Sequence, residues 1–203
     1  MQGAKVSNLL IIMTSTKPSE SVHEFISIWV RVIILAFVIL AASPGRNASA
    51  QVKPKDPQGS YDPKSAPGAG QKYLEQFAGD WSVEKIFHPR DGDPVTTKGE
   101  CHQAMINGGR FLKSDFNFYD GATNTTGVGL IGFVPDSGIF TSVWIDSRST
   151  KMSIRQSREP FDGSQIVMYS VPLVNGVREA RPSRNTTHLA EGGRKIIHQQ
   201  YVS

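Results

Sequence analysis

Cysteine is almost absent from this 203-residue chain, since Cys101 is the only one. An intramolecular disulfide is therefore excluded, and an exported domain would have to be held together by its core. Cys101 lies in a strand-like run, and we interpret it as a buried, unreactive thiol. A nucleophilic cysteine would need a placed base, and the spacing of the sequence singles out none.

The net charge of the chain is small, and long apolar runs are rare. The 22 Lys and Arg residues exceed the 18 Asp and Glu residues only slightly, which gives a net charge of +4. Because this surplus is spread along the chain, it indicates a solvated mixed-charge surface, and we expect no nucleic-acid partner. Only one apolar stretch approaches the length of a membrane span, which excludes a polytopic membrane protein.

The common signatures of catalytic and metal sites are missing as well. The sequence contains no nucleophile elbow and no phosphate loop, and its histidines include no pair with the spacing of a zinc protease. The run Gly127-x-Gly129-x-x-Gly132 matches the dinucleotide-binding pattern by letter, but no helix is expected after it. We therefore assign no catalytic residue and expect no metal site.

An export-like segment lies near the N-terminus. Residues 32–42 form an unbroken apolar run, with Arg31 immediately before it. Ala48 and Ala50 then place small residues at the positions that signal peptidase inspects. The pattern predicts a secretory signal peptide over residues 1–50 and a periplasmic or secreted location.

Cleavage would leave Gln51 as the mature N-terminus, with no stable membrane span after it. One alternative is an uncleaved anchor over residues 25–42, a length that is marginal for a bilayer core of roughly 30 Å. The other is a cytoplasmic protein in which the segment is no export signal. The Pro-rich and Gly-rich residues 51–72 predict a flexible linker. Residues 73–203 are then expected to form a single domain.

The domain has the pattern of an all-β fold. From Trp81 onward, short strand-like runs alternate with turn signals at intervals of about ten residues, which is typical of a sandwich or barrel. A helical turn or two is expected over residues 71–77. The expected strands cover residues 81–87, 96–105, 110–119, 126–133, 139–146, 152–158, 165–171, 177–189 and 194–202. Consecutive hairpins, with Gly or Asn in the turns, predict an antiparallel up-and-down meander that closes into a barrel.

Residue alternation along these strands indicates which side chains could line a pocket. Polar groups lie among large apolar ones on one face of the fifth and last strands, which suits a barrel lined for a ligand. Arg155, on the strand after Asp146, is a candidate cation to balance that carboxylate. The alternative is that these strand faces point outward, which would leave their polar side chains in solvent. The candidate ligand-binding residues are Phe116, Phe140, Trp144, Asp146, Arg155 and His198.

Three motifs resemble those of the bacterial domain-of-unknown-function 1579 family. They lie at residues 74–81, at 108–112 and at 127–133 followed by 142–147. This resemblance implies a lipocalin-like barrel of the calycin group and no established activity. Some barrels of that group bind haem through a histidine on a late strand. The resemblance therefore implies His198 as a candidate haem ligand. No other cofactor is expected.

The sequence departs from the family pattern at its end. Family members continue past the position of Tyr201 with another hairpin and a closing strand, whereas this chain stops at Ser203. The expected barrel therefore lacks its closing strand, and it is either open at that edge or closed by a neighbouring subunit in a homodimer. Pro182, within the expected eighth strand, requires an edge, a bulge or a break.

Three functions remain open from the sequence. The first is a non-enzymatic barrel in the cell envelope that binds a small apolar or amphipathic molecule. The second is an enzyme of isomerase or hydrolase type with its site inside the barrel. The third is an interaction protein that uses an open sheet edge.

Overall fold

The computed structural model describes residues 7–17, 66–121, 123–171 and 182–202. In this part of the chain ten antiparallel strands form a closed barrel, in which each strand pairs with its neighbours in chain order. One short α-helix, α1 (Ala69–Glu75), precedes the second strand, and a 3-10 helix (Glu191–Gly193) connects the last two strands. The strands are β1 (Ser7–Ser15), β2 (Gly79–His88), β3 (Val95–Ile106), β4 (Phe111–Asp120), β5 (Thr123–Val134), β6 (Ile139–Asp146), β7 (Ser153–Gln156), β8 (Ile166–Val171), β9 (Ser183–Ala190) and β10 (Lys195–Val202). The predicted all-β meander is confirmed.

The expectation that the barrel lacks its closing strand is wrong. Strand β1 lies between β10 and β2 and pairs with both, from Ser7 opposite Val202 to Ser15 opposite Trp81. A strand from the N-terminal segment thus occupies the position that was expected to be empty, and the described barrel has no free edge. Strand β1 also lies within the predicted signal peptide, whose apolar run at residues 32–42 is outside the described residues.

Most expected strands agree with the structure to within a few residues. The largest differences are β7, which is only four residues long, and the expected strand 177–189, which is seen as β9. Pro182 lies immediately before β9 and so interrupts no described strand pairing, and residues 172–181 lie outside the described part. The turn before β4 has the expected positive φ angles, 51° at Asn107, 66° at Gly108 and 78° at Gly109.

Helix α1 closes one end of the barrel. The backbone N–H of Gly68 donates to the Oε1 of Gln71 at 2.7 Å, and the Nε2 of Gln71 donates to the carbonyl of Phe133 at 2.8 Å. A methyl group at Gly70 would lie 2.2 Å from the ring of Phe133, so only glycine allows the helix to approach β5 this closely. The helix begins at Ala69, inside the predicted linker 51–72. No helix among the described residues is long and apolar enough to cross a membrane.

An aromatic cluster fills the barrel next to α1. Tyr73 lies 4.9 Å from Phe161 and 5.3 Å from Phe77, measured between ring centroids. Trp81 donates its indole N–H to the carbonyl of Phe77 at 2.9 Å. This end of the barrel is therefore packed solid, and any space inside must lie toward the other end.

Candidate functional site

A cavity of about 590 Å³ lies inside the barrel. Leu74 and Phe77 form its floor on the helix side, while Phe87, Val95 and Val202 lie around its other end. Single small-molecule sites have volumes of roughly 300–1,000 Å³, so the space suits one small ligand.

Five of the six predicted ligand-binding residues line this cavity, namely Phe116, Trp144, Asp146, Arg155 and His198. Phe140 does not. Its side chain is only 1% exposed and lies among the aromatic rings, with its centroid 4.8 Å from Phe133 and 5.1 Å from Phe161. Phe140 occupies the start of β6, near α1, whereas the cavity begins at Ser142 on the same face. Alternation gave its face correctly, but not its depth in the barrel.

Trp144 faces the cavity and is held flat against β5. A methyl group at Gly127 would lie 2.4 Å from its indole ring, so glycine makes room for the ring there. Phe116 contacts the same indole edge to face, with centroids 5.4 Å apart. The Nε1 of Trp144 donates to the Oδ2 of Asp146 at 3.1 Å, which fixes the orientation of the indole.

Asp146 pairs with Arg148 rather than with Arg155. The Nη2 of Arg148 donates to the Oδ2 of Asp146 at 2.9 Å, and the backbone N–H of Arg148 donates to Oδ1 at 2.9 Å. The hydrogen bond from the Arg148 side chain is the main reason that the pKa of Asp146 is lowered. The turn after β6 brings Arg148 back onto this carboxylate, whereas strand register places Arg155 beside Ser142. Asp146 is therefore fully engaged at the edge of the cavity.

Arg155 lies deeper and has no hydrogen-bond or ion-pair partner among the described residues. It faces the cavity from β7, and burial lowers the pKa of its guanidinium. Directly opposite on β6 is Ser142, whose side chain is 7% exposed and whose Oγ also has no partner in this part of the chain. Buried polar groups are normally hydrogen-bonded, so this pair is an unusual feature of the wall.

His198 is held by a neighbouring strand. Its Nδ1 lies 2.8 Å from the Oγ1 of Thr187, which is its partner in the register of β9 and β10. Burial is the main cause that lowers the pKa of His198 to about 4, and the positive charge of Arg155 is the second cause. The imidazole is therefore neutral near pH 7.

A neutral imidazole with Nδ1 engaged leaves Nε2 as the nitrogen that could bind an iron, so haem at His198 stays a prediction. The described residues contain no group of three or more His, Cys, Asp or Glu side chains that could hold a metal ion. Cys101 is 1% exposed, and burial raises the pKa of its thiol to about 12, as expected for an unreactive cysteine.

The charges that line the cavity are mostly positive. Among the described residues, Lys85, Arg148 and Arg155 contribute to the wall, and Asp146 contributes one carboxylate. Lys85 also places its Nζ 4.3 Å from the ring centroid of Phe118. Arg148 is matched with Asp146, whereas Arg155 has no hydrogen-bond or ion-pair partner among the described residues.

Sequence reasoning missed Ser142, Thr187 and Lys85 as wall residues. Lys85 and Ser142 could have been found from alternation, because each shares a strand face with large apolar side chains. The wall residues of β1, which include Leu9 and Ile11, had no such signal, because their segment was interpreted as part of a signal peptide.

Comparison with known proteins gives a family and no activity. A search of curated proteins and a search of solved structures each found no match. The profile of a family described as "Protein of unknown function (DUF1579)" matches residues 66–195, which is well over half of the chain. The motifs that resembled this family all lie inside the matched region. The chain therefore belongs to the DUF1579 family.

Proposed function

We propose that this protein binds one small apolar or amphipathic molecule inside its barrel and does not transform it. The observation that carries the proposal is the cavity of about 590 Å³, with large apolar side chains around a few inward-facing polar groups. Ligand sites commonly combine apolar walls with a small number of placed polar groups that fix orientation. In this cavity, the polar groups that could orient a ligand belong to Trp144, Arg155 and Ser142.

An enzyme with its site in the barrel is the second candidate, and one observation favours it. Arg155 and His198 face the same cavity and both have lowered pKa values, as pairs in active sites often do. However, a histidine with a pKa of about 4 is a weak base near neutral pH. Asp146, the one carboxylate that the described residues place on the cavity wall, is engaged by Arg148 and Trp144. These contacts favour binding over catalysis.

A titration with N-phenyl-1-naphthylamine tests the proposal, because its emission increases in an apolar site. We expect saturable binding of one molecule to the full chain. Gly129→Leu should abolish this binding, because Gly129 lines the cavity and a leucine there would fill space that the ligand needs. The atom nearest to an added methyl group is 3.6 Å away, so the larger side chain can enter the cavity. Leu130→Phe, an enlargement at a 36% exposed position on the next residue, is the matched control. Equal binding by Gly129→Leu and wild type would contradict binding in the cavity.

We also propose a location in the cell envelope, on the support of the signal-like pattern in residues 1–50. This proposal has a consequence for β1. Signal cleavage before Gln51 would remove β1, and a span over residues 25–42 would separate β1 from the barrel by a membrane. Export and closure by β1 therefore exclude each other in one molecule. A homodimer through the edges of β2 and β10 is proposed only for an exported form that lacks β1.

N-terminal sequencing of the protein from separated cell fractions tests the location. A start at Gln51 in the envelope fraction would support export. Recovery of the whole protein in the cytoplasmic fraction, with residue 1 at its N-terminus, would contradict it and would assign the closed barrel to the cytoplasm.

A further inference from the structure

We propose that the ligand of this barrel carries an anionic head group, a carboxylate or a comparable acid, which binds between the guanidinium of Arg155 and the hydroxyl of Ser142. This inference rests on the proposed binding function and adds the chemical class of the ligand. It starts from two polar groups that face the same cavity and have no partner in the described part of the chain.

The geometry brings these two groups together. Arg155 and Ser142 are paired residues of the antiparallel strands β7 and β6, and both side chains point inward. The Cβ atoms of such pairs lie about 4.5–5.5 Å apart, so one acid group can reach both side chains. A carboxylate would accept N–H bonds from the guanidinium and an O–H bond from the serine, and arginine is suited to bidentate contact with a planar acid.

The guanidinium of Arg155 faces the cavity without an ion-pair partner among the described residues. A buried charge without a counterion is costly, and protein interiors normally pair such a charge. The carboxylate of Asp146 does not serve Arg155, because Arg148 and Trp144 occupy its oxygens. The neutral His198 brings no negative charge. An anion supplied by the ligand would therefore complete the pairing that the described residues leave open.

The surroundings favour an amphipathic acid over a small inorganic anion. Trp144 follows Ser142 on the same strand face, and Ile131 is the partner of Ser142 on β5. From this pair toward the end of the barrel away from α1, the wall includes the apolar side chains Leu9, Phe87, Phe116, Phe118 and Val202. An apolar tail on the acid would fill this part of the cavity.

Calorimetric titration with three ligands of equal chain length tests the inference on the full chain. The ligands are dodecanoate, dodecan-1-ol and dodecyltrimethylammonium, each below its micelle concentration. We expect dodecanoate to bind about tenfold or more tightly than the alcohol, as for a charge-assisted pair, and the cation to bind least. Equal affinity for dodecanoate and the alcohol would overturn the anionic head group but leave the binding function intact. Binding of none of the three would overturn the proposed function itself.

Variants then locate the head group. Arg155→Met should weaken dodecanoate binding about tenfold or more and dodecan-1-ol binding by a clearly smaller factor, because only the carboxylate makes a charge-assisted contact with the guanidinium. Arg158→Met, which removes an exposed guanidinium 4.0 Å from the ring centroid of Tyr169, is the control and should preserve the preference. Ser142→Ala should reduce the preference for dodecanoate by a smaller factor. A preference that survives in Arg155→Met would place the head group elsewhere and overturn the assignment.

A melting experiment without ligand separates this role from a structural one. Since Arg155 has no partner in the described part, Arg155→Met should melt at a higher temperature than the wild type. A lower melting temperature would show that Arg155 stabilises the empty barrel, which would contradict its assignment as an unpaired cation kept for a ligand.

Discussion

The hydroxyl of Thr187 on β9 lies 2.8 Å from Nδ1 of His198 on the neighbouring strand β10. This contact holds the imidazole in a cavity that also contains the guanidinium of Arg155. Burial and that nearby charge both act against a second proton on the ring, which lowers its pKa to about 4. His198 is therefore a neutral polar group of the wall at neutral pH, and its protonation must be coupled to stability.

The first prediction concerns the pH dependence of stability. Because the pKa of His198 falls from 6.5 in the unfolded chain to about 4 in the fold, the unfolded chain takes up this proton first as the pH falls. The contribution of the neutral histidine is complete above about pH 6.5 and is lost progressively down to about pH 4. The loss is about 3 kcal/mol for a shift of this size. Urea unfolding across this pH range measures it.

His198→Asn is the matched variant, since an amide can replace Nδ1 as the partner of Thr187. Carboxylates contribute the same acid-dependent background to both proteins, so the difference between their pH profiles reports on the histidine. Identical slopes between about pH 4 and pH 6.5 would show that His198 titrates normally and is not buried as described.

The second prediction compares two glycines on the inward face of β5. Gly127→Ala should destabilise the fold by about 1–3 kcal/mol, because the added methyl would lie 2.4 Å from the indole of Trp144. Gly129→Ala should change stability little, because the nearest neighbours of its added methyl are at an ordinary 3.6 Å. Thermal melting of both variants measures the contrast, and equal effects would show that Trp144 does not lie against Gly127.

The third prediction concerns the carboxylate at the edge of the cavity. Asp146→Asn should cost about 1–3 kcal/mol, since the side chain is 11% exposed and accepts charge-assisted hydrogen bonds. Asp115→Asn is the control, because Asp115 pairs with Lys113 at the surface, where an exposed ion pair contributes about 0–1 kcal/mol. Chemical unfolding distinguishes the two. A neutral effect at Asp146 would mean that its contacts with Arg148 and Trp144 add nothing to stability.

The fourth prediction concerns β1. A chain that starts at Gln51 should melt at a lower temperature than the full chain and bind N-phenyl-1-naphthylamine more weakly, because removal of β1 leaves one edge of β2 and one edge of β10 unpaired. A synthetic peptide of residues 7–15 should restore part of both properties. Indistinguishable melting and binding by the two chains would show that β1 is dispensable for the barrel.

The sequence predicted the strands well because their signals are local. Alternation along β6 and β10 indicated their inward faces, and glycine-containing turns such as Asn107-Gly108-Gly109 separated the runs. Strand β1 was missed because pairing between residues about 70 or 190 positions apart leaves no local mark. The local features of that region favoured a signal peptide instead.

For the site residues, the sequence predicted which strand face each side chain lies on. It did not predict how deep in the barrel a side chain lies or which residue it contacts. Trp144 and Phe140 share a face, but only the depth of the aromatic cluster decides that Phe140 lies in the core. The partner of Asp146 depends on the path of the turn to Arg148, and the isolation of Arg155 depends on the register of β6 and β7. Such relationships arise from tertiary geometry, which residue patterns do not contain.

Quenching of Trp144 fluorescence by 2-bromododecanoate reports whether a ligand head group lies between Arg155 and Ser142, because the bromine of this acid is next to its carboxylate. In a Trp29→Phe, Trp81→Phe variant, Trp144 is the only tryptophan left. A head group at Arg155 and Ser142 would place the bromine near this indole. We expect strong quenching that saturates at one equivalent of 2-bromododecanoate. The quenching should be weaker with 12-bromododecanoate and should be lost in Gly129→Leu. Quenching that rises linearly without saturation, as for a freely accessible indole, would contradict a ligand held in the barrel.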